Sequence, residues 1–165
     1  MAGGVGSVSN RRQVAAAGPR EYRQGMKITF FLTPKAEVAW VASNATIRQT
    51  LERMERRHYS AIPVLSPDGR YDSTLTEGDL LWYLKDNPHV SFKDTERIRL
   101  AEVPRRMLVR PIDISADIEE LFTLALEQNF VPVIDDRKIF IGIVTRKSIL
   151  NFYAEKVSYG VAAAP

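Results

Sequence analysis

The sequence of 165 residues contains no cysteine. This absence excludes disulfide bonds, thiolate metal sites and cysteine nucleophiles, and it fits a reducing compartment such as the cytoplasm, where we expect the protein to act. The two histidines, His58 and His89, are not spaced as metal ligands are, so we expect no metal site. No run of 18 apolar residues occurs, and we therefore expect no membrane-spanning helix.

Signatures of catalysis are also missing. The sequence has no glycine-rich phosphate loop and no nucleophile elbow. The adjacent acids Glu119-Glu120 and Asp135-Asp136 fall in a predicted helix and a predicted turn, where they indicate solvated surface rather than a general acid and base. We therefore expect that the protein is not an enzyme.

Excess positive charge is confined to one end of the chain. The formal charge is +3, and residues 1–25 hold four of the 23 basic residues but one of the 20 acidic ones, which leaves 19 of each in residues 26–165. We predict that residues 1–25 form a disordered basic leader, with Met26 as an alternative start, and that residues 157–165 form a loose tail. Nucleic-acid binding through the leader is a rival hypothesis that the neutral remainder does not favour.

The remainder of the chain contains an internal repeat. Pro63 in AIPVL and Pro132 in FVPVI lie 69 positions apart, as do Thr76 and Thr145, which each precede a helical pattern. Several matches at one offset indicate a duplicated unit of about 60 residues. We place the first unit at residues 26–85, a polar connection at 86–102 and the second unit at 103–156.

Each unit is predicted to fold as β-α-β-β-α. Apolar residues at helical spacing begin at Ile47 and Ile118, with Asn44 and Ser115 as predicted caps, and second helices begin at Thr76 and Thr145. The predicted strands are residues 37–41, 61–65 and 71–75 in the first unit, and 111–114, 131–134 and 139–144 in the second. The predicted fold is α/β (α+β), with two units packed about a pseudo-twofold axis.

This pattern resembles a pair of CBS domains, or Bateman module, over residues 33–155. The resemblance is carried by Ile62-Pro63-Val64, Thr76-Glu77-Gly78-Asp79, Val131-Pro132-Val133 and Gly142-Ile143-Val144-Thr145. It implies tandem β-α-β-β-α units that form homodimers. It also implies a regulatory protein that binds adenine nucleotides in two clefts between the units.

A narrower resemblance is to the small stand-alone CBS-pair proteins of Firmicutes that bind cyclic di-AMP. It is carried by the runs HYSAIPVL and EQNFVPVIDDRKIFIGIVTRK, and by a second unit two residues shorter between helix and proline. It implies cyclic di-AMP as the ligand and target enzymes such as a (p)ppGpp synthetase or pyruvate carboxylase. The alternatives are a regulator that binds AMP, ADP or ATP, and a ligand-independent dimerisation or scaffold module.

Thr76 and Asp79 have two interpretations. Their spacing predicts a capping box at a helix start, which accounts for both residues without a ligand. The family resemblance implies instead that Asp79 holds a ribose, whose two hydroxyls a carboxylate accepts. Ser148 stands at the equivalent position of the second unit, and it is expected to grip a ribose less firmly.

The turn Thr145-Arg146-Lys147 places two cations beside a helix start, which suits phosphate, and in the resembled subgroup this turn contacts the ligand. A solvated basic turn is the alternative. Glu37 stands where the subgroup tends to have lysine, which is unfavourable for an anionic ligand, although Lys35 lies nearby. Trp40, Trp82 and Tyr83 are more commonly packing residues than base-stacking ones.

The predicted nucleotide site combines these turns with the starts of the central strands, where Ala61 leaves room for an adenine ring. Core packing is the alternative for the apolar members. The predicted site residues are Glu37, Val38, Ala39, Tyr59, Ser60, Ala61, Ile62, Pro63, Thr76, Asp79, Arg110, Phe130, Val131, Thr145, Arg146, Lys147 and Ser148.

Overall fold

A computed structural model of the protein describes residues 25–162. The predicted basic leader therefore lies outside the described residues except for Gly25, as do residues 163–165 of the predicted tail. The strands are β1 (Thr33–Pro34), β2 (Val41–Ala42), β3 (Ala61–Leu65), β4 (Tyr71–Thr76), β5 (Ile112–Asp113), β6 (Phe130–Ile134) and β7 (Phe140–Thr145). The α-helices are α1 (Ile47–Arg57), α2 (Glu77–Asp86), α3 (Ile118–Glu127) and α4 (Arg146–Ala162).

The duplicated β-α-β-β-α order is confirmed. It runs from β2 to α2 and again from β5 to α4, with short 3-10 turns at Ile28–Phe30, Lys35–Glu37, Asp94–Glu96 and Leu100–Glu102. Helix α4 continues into the segment that was predicted as a tail. The end of the connection is anchored by Leu100, and the segment that follows it by Val103; both side chains are buried in the core of the first unit.

The N-cap of helix α1 lies two residues later than predicted. Thr46, not Asn44, is the N-cap, and it forms a capping box with Gln49. Ser115 is also wrong as a cap, because Asp117 holds that position at α3 and Ser115 donates to Asp113 instead. In both units a turn intervenes between strand and helix, and it moves the helix start beyond the first polar residue.

The first strand of each unit is shorter than predicted. Of residues 37–41, only Val41 enters a strand, because Lys35–Glu37 closes a 3-10 turn in which the Val38 amide donates to the Lys35 carbonyl over 3.2 Å. In the second unit the strand is Ile112–Asp113 rather than residues 111–114. Each of these two strands pairs in parallel with the next strand of its own unit.

The two sheets have the orders β2-β3-β4 and β1-β7-β6-β5. Strand β1 precedes the repeated elements of the first unit but pairs antiparallel with β7 of the second, with Thr33 opposite Ile143 and Pro34 opposite Gly142. A Cβ atom at Gly142 would collide with the Thr33 carbonyl oxygen, so this close pairing requires glycine. Residues Thr33–Pro34, ahead of the first repeat, thus complete the sheet of the second unit.

Contacts between equivalent residues mark the pseudo-twofold axis. The amide of Phe140 donates to the carbonyl of Gly69 over 3.0 Å, and the amide of Tyr71 donates to the carbonyl of Lys138 over 3.3 Å. The two bonds are equivalent by the repeat, because Phe140 lies 69 positions after Tyr71 and Lys138 lies 69 positions after Gly69. The rings of Tyr71 and Phe140, themselves such a pair, stack with centroids 6.4 Å apart.

Three apolar clusters form the core within residues 25–162. One surrounds α1 and includes Ile47, Ile62 and Leu75, and a second surrounds α3 and β6. The third joins the sheets and is formed by Val38, Leu65, Phe140 and Ile143. Since this third cluster takes residues from both units, the two units share a core, as the predicted fold requires.

Candidate functional site

The start of α2 is a closed capping box. The Thr76 hydroxyl accepts from the Asp79 amide over 3.0 Å, and Asp79 Oδ2 accepts from the Thr76 amide over 2.9 Å. Asp79 is 2% exposed, and its other carboxylate oxygen, Oδ1, accepts from the Arg106 amide over 2.9 Å. The capping interpretation is therefore confirmed, and both carboxylate oxygens bind main-chain amides.

A cavity of about 370 Å³ opens beside Asp79. Arg106 contributes its cation there, in an ion pair with Asp86 at 2.8 Å and 5.6 Å from the ring of Trp82. The cavity is lined by Asp79, Tyr83, Asp86, Asn87, Glu102, Pro104 and Arg106. Because Arg106 is exposed and lies at the mouth of this cavity, it is a candidate anion-binding group that the sequence analysis missed.

A signal for Arg106 was present in the sequence. Strands β2 and β5 are equivalent, since Val41 and Ile112 pair with the equivalent residues Val64 and Val133. Counting back from these strands places Arg106 at the position equivalent to Lys35. Both units therefore carry a cation six residues before the first strand.

Arg105 fixes the segment that carries Arg106. Its guanidinium donates to the carbonyl of Leu100 and to the hydroxyl of Ser73 on β4. Burial lowers the pKa of this guanidinium, and the nearby carboxylate of Asp79 opposes that shift. Farther along, the Tyr71 hydroxyl donates to the Val109 carbonyl over 3.0 Å, and burial raises the pKa of Tyr71 to about 12.

The start of α4 repeats only part of this arrangement. The Thr145 hydroxyl accepts from the Ser148 amide over 3.0 Å, as Thr76 does from Asp79. The Ser148 hydroxyl donates to the Thr145 carbonyl over 2.7 Å, so it does not reach back to an amide as a carboxylate would. The α4 start therefore has a threonine cap without an acid.

Arg146 and Lys147 face different surroundings. The guanidinium of Arg146 donates to the carbonyls of Ala125 over 2.7 Å and Leu126 over 3.2 Å, at the end of α3. Lys147 is exposed. Arg110 reaches the same end of α3, where its side chain pairs with Glu127 at 2.8 Å. Two of the three predicted cations thus stabilise the negative end of the α3 dipole, and Lys147 is the one turned to solvent.

The predicted strand-start walls lie next to the helix starts of their own units. Ala61 is opposite Thr76 in the β3–β4 register, and the Glu77 amide donates to the Ser60 carbonyl over 3.0 Å. In the second unit Phe130 is opposite Thr145, in the same relation. The structure therefore brings each predicted wall and its helix start together, while Tyr59 packs against the core of the first unit.

Several predicted wall residues have buried side chains. Ile62, Pro63 and Val131 are buried, which agrees with their core interpretation. Val38 and Ala39 are buried as well, and Val38 packs in the cluster shared by the two sheets. Glu37 is exposed, and Lys35 lies over the ring of Trp40 with its ammonium 5.2 Å from the centroid. The Glu37–Ala39 wall therefore lies between the two units.

Two general features bear on the kind of site. None of the helices among residues 25–162 is long and apolar enough to cross a membrane. Within that same range, no group of three or more His, Asp or Glu side chains is arranged to hold a metal ion. The chemistry available at the two helix starts is that of main-chain amides, threonine hydroxyls, the carboxylates of Glu77 and Asp79, and several cations.

Comparison with known proteins gives concordant results. The family model for the CBS domain matches residues 32–86 and residues 100–155. Cyclic di-AMP receptor B of Bacillus subtilis (strain 168) is 26% identical over 121 residues, which are 73% of this chain and 82% of that protein. The crystal structure of CbpB in complex with c-di-AMP has a TM-score of 0.75 at 21% identity, and covers 84% of this chain and 91% of its own. The crystal structure of CBSX2 in complex with AMP has a TM-score of 0.64 at 20% identity, and the match covers 79% of this chain and 98% of the CBSX2 chain.

Proposed function

The chain belongs to the CBS domain family, and on this premise we propose that it is a non-enzymatic regulatory protein of the cytoplasm that senses an adenine nucleotide. Cyclic di-AMP is the leading ligand, since a curated relative is named as its receptor and the CbpB structure contains it. AMP, ADP and ATP are the alternatives, because the similar structure of CBSX2 contains AMP.

One observation carries the proposal: both units present a threonine-capped helix start beside the start of a central strand. Two first-turn amides at each start already donate within the protein, those of Glu77 and Asp79 at α2 and those of Arg146 and Ser148 at α4, so the positive end of the helix dipole is what favours phosphate there. Thr76 faces Ala61, and Thr145 faces Phe130, so each arrangement offers a hydroxyl, main-chain groups and a small or aromatic wall. These are the groups that phosphate, ribose and adenine require.

The two helix starts differ in charge, and this difference supports distinct roles. At α4, Lys147 brings an exposed cation to a start without acidic residues in its first turn, while the neighbouring Arg146 donates to the carbonyls of Ala125 and Leu126. At α2, Glu77 and Asp79 bring two acids. A ligand with two phosphates is therefore better matched by the α4 start, whereas Asp79 suits a ribose.

Ligand binding at α2 has a direct mechanical consequence. A ribose that takes Asp79 Oδ1 as its acceptor displaces the Arg106 amide, which holds residues 104–106 against α2. We propose that this displacement shifts the population of the segment after Val103 between two arrangements, and that target proteins bind one of them. Enzymes such as a (p)ppGpp synthetase or pyruvate carboxylase are the proposed targets.

We further propose that the protein acts as a homodimer. Leu81 on α2 and Leu150 on α4 occupy equivalent positions, and each is 60% exposed. Two such residues related by the pseudo-twofold axis are matched to a symmetric partner surface.

Calorimetric titration of the full chain with cyclic di-AMP, AMP, ADP and ATP tests the proposal. We expect heat with cyclic di-AMP, and a weaker affinity for Lys147→Ala than for the control Lys93→Ala, whose exposed cation lies in the connection. The absence of heat with all four nucleotides contradicts the proposed sensor.

A ligand-independent scaffold is the second candidate, and the engagement of Asp79 and Arg146 by the protein itself favours it. In that case Arg146→Ala leaves partner binding unchanged at every nucleotide concentration.

A further inference from the structure

A groove of about 570 Å³ runs along α1, away from both helix starts described above. One wall is the helix and the other is the segment that leads into and out of β2. The lining residues are Val38, Ala39, Trp40, Val41, Ala42, Ala45, Gln49, Glu52, Arg53, Arg56 and Arg57. The floor is therefore small and apolar, and the helical wall is mostly cationic.

The β2 wall of the groove is an open sheet edge. Strand β2 is the last strand of the β2-β3-β4 sheet and pairs only with β3 in the described part of the chain. The Ser43 amide donates to Leu65 of β3. Because alternate residues turn their main-chain groups to the same side, Trp40 and Ala42 turn theirs to the open edge. Each carbonyl already accepts one bond there: the Trp40 carbonyl from the Arg53 guanidinium of α1 over 2.6 Å, and the Ala42 carbonyl from the Ala45 amide over 2.9 Å. A partner strand would therefore use the amides of these residues and the second lone pair of each carbonyl.

The helical wall carries unpaired positive charge. Arg56 and Arg57 are exposed, and among the described residues neither side chain has a hydrogen-bond or ion-pair partner. With Arg53 they place three guanidinium groups on the groove against one carboxylate, Glu52. Since residues 26–165 are neutral in total, this local excess is a distinct feature of the surface.

The geometry points to a docking site for an acidic, extended segment of a protein partner. Such a segment adds as a strand to the edge at Trp40 and Ala42, which is a common mode of peptide recognition. Its carboxylates then pair with Arg56 and Arg57, whose planar forks match carboxylates. A nucleic acid would satisfy the arginines but not the strand edge, and a helix would not pair with the edge at all.

The groove also meets the predicted nucleotide wall, because Val38 and Ala39 line both. If this groove is the surface through which the proposed sensor binds its target, the inference rests on the proposed function. Its main-chain and charge complementarity can nevertheless be tested without any nucleotide.

The test is a titration of the full, nitrogen-15-labelled chain with three heptapeptides, followed by NMR and fluorescence anisotropy. The first peptide alternates glutamate with valine or threonine. The second has the same acids with a central proline, which cannot continue a strand. The third replaces glutamate with lysine. A single-stranded oligouridylate is titrated in parallel.

We expect amide shifts at Trp40 and Ala42 with the first peptide, and about tenfold weaker binding of the proline peptide and of the lysine peptide. The double variant Arg56→Glu, Arg57→Glu is expected to bind the first peptide about tenfold more weakly. The matched variant Lys93→Glu, Arg97→Glu, which changes the same charge at exposed positions of the connection, is expected to bind as the parent does.

The inference is overturned if the proline peptide binds as tightly as the first peptide. It is also overturned if the two double variants lose the same amount of affinity for the first peptide. Tighter binding of the oligouridylate at these same arginines assigns the groove to nucleic acid and also overturns it. If the chain binds nucleotide in the calorimeter but does not bind the acidic peptide, the docking site is contradicted and the proposed sensor is not. If it binds the acidic peptide but no nucleotide, the proposed sensor is contradicted and the docking site is not.

Discussion

Asp79 is a buried carboxylate whose two oxygens are held by amides from two distant parts of the chain. One amide belongs to Thr76 in its own capping box, and the other to Arg106 after the connection. Its equivalent, Ser148, makes no comparable long-range bond through its side chain, since its hydroxyl donates within its own turn. Because of this difference, the α2 start is bonded to the segment after the connection through a side chain, and the α4 start has no equivalent bond through Ser148.

Asp79→Asn is expected to lower the free energy of unfolding by about 1–3 kcal/mol. The side-chain amide of asparagine has one oxygen that accepts and one NH₂ group that donates. The NH₂ group would therefore face either the Thr76 amide or the Arg106 amide, and that buried main-chain amide would lose its acceptor. Urea denaturation of the two proteins measures the change.

Asp136→Asn is the control, because Asp136 is an exposed residue in the β6–β7 turn and the change in charge is the same. An Asp79→Asn protein as stable as this control would contradict the closed capping box.

Ser148→Asp is expected to raise the free energy of unfolding by about 0.5–1 kcal/mol. The new carboxylate lies in the first turn of α4, where it can accept from the Thr145 amide and complete the box that Thr145 begins. Thermal unfolding measures the gain. Asn151→Asp adds the same charge beyond that first turn, and a comparable gain there would attribute the effect to net charge rather than to capping.

The directions of long side chains are the part of the site that the sequence could not predict. Arg146 and Lys147 are adjacent and alike in charge, yet Arg146 turns to the carbonyls of Ala125 and Leu126. That choice depends on where α3 ends in space, which local spacing does not contain. The capping box was predictable because its partners lie only three residues apart.

At the scale of elements, periodicity predicted the helices and the central strands well. Ile47 and Met54 line one face of α1 because apolar residues recur at helical spacing, and β3 and β6 are short apolar runs. Strand β1 was not predicted, since two residues, Thr33 and Pro34, carry no periodicity. Its existence depends on the distant glycine opposite it.

Gly142→Ala is therefore expected to destabilise the protein by about 1–3 kcal/mol and to release β1. The added Cβ would meet the carbonyl of Thr33, so the edge pairing must open. Hydrogen exchange of the amides at Thr33 and Ile143 is expected to become faster.

Gly78→Ala is the matched control. An added Cβ at Gly78 has its nearest neighbour, the Thr76 hydroxyl, at 3.6 Å, an ordinary contact, and alanine favours the helix. Equal destabilisation by the two substitutions would argue against the close approach at β1.

At the scale of the whole molecule, Tyr71 links three parts. Its amide bonds to the second unit at Lys138, its ring stacks on Phe140, and its hydroxyl donates to Val109 in the segment that leads to β5. Ionisation of this partly buried hydroxyl would remove the proton that it donates to the Val109 carbonyl and would place a charge away from water.

We expect the stability of the protein to fall between about pH 10 and pH 12 through Tyr71. The folded pKa is raised to about 12 from an unfolded value of 10.0, so in this window the native state keeps a proton that the unfolded state has lost. The stabilisation is complete below pH 10 and is lost as the pH rises through the folded pKa. Urea denaturation at several pH values is expected to show a smaller decline for Tyr71→Phe than for the parent, and parallel declines would contradict the assignment.

The reciprocal bonds at the pseudo-twofold axis have the form of contacts in a symmetric dimer. Residues that are equivalent by repetition contact each other: Tyr71 meets Phe140, and each turn donates to the other. That is the isologous geometry of two identical subunits. The chain therefore has the form of a symmetric dimer whose two β-α-β-β-α copies are joined in one polypeptide and differ in their contacts at Asp79 and Ser148.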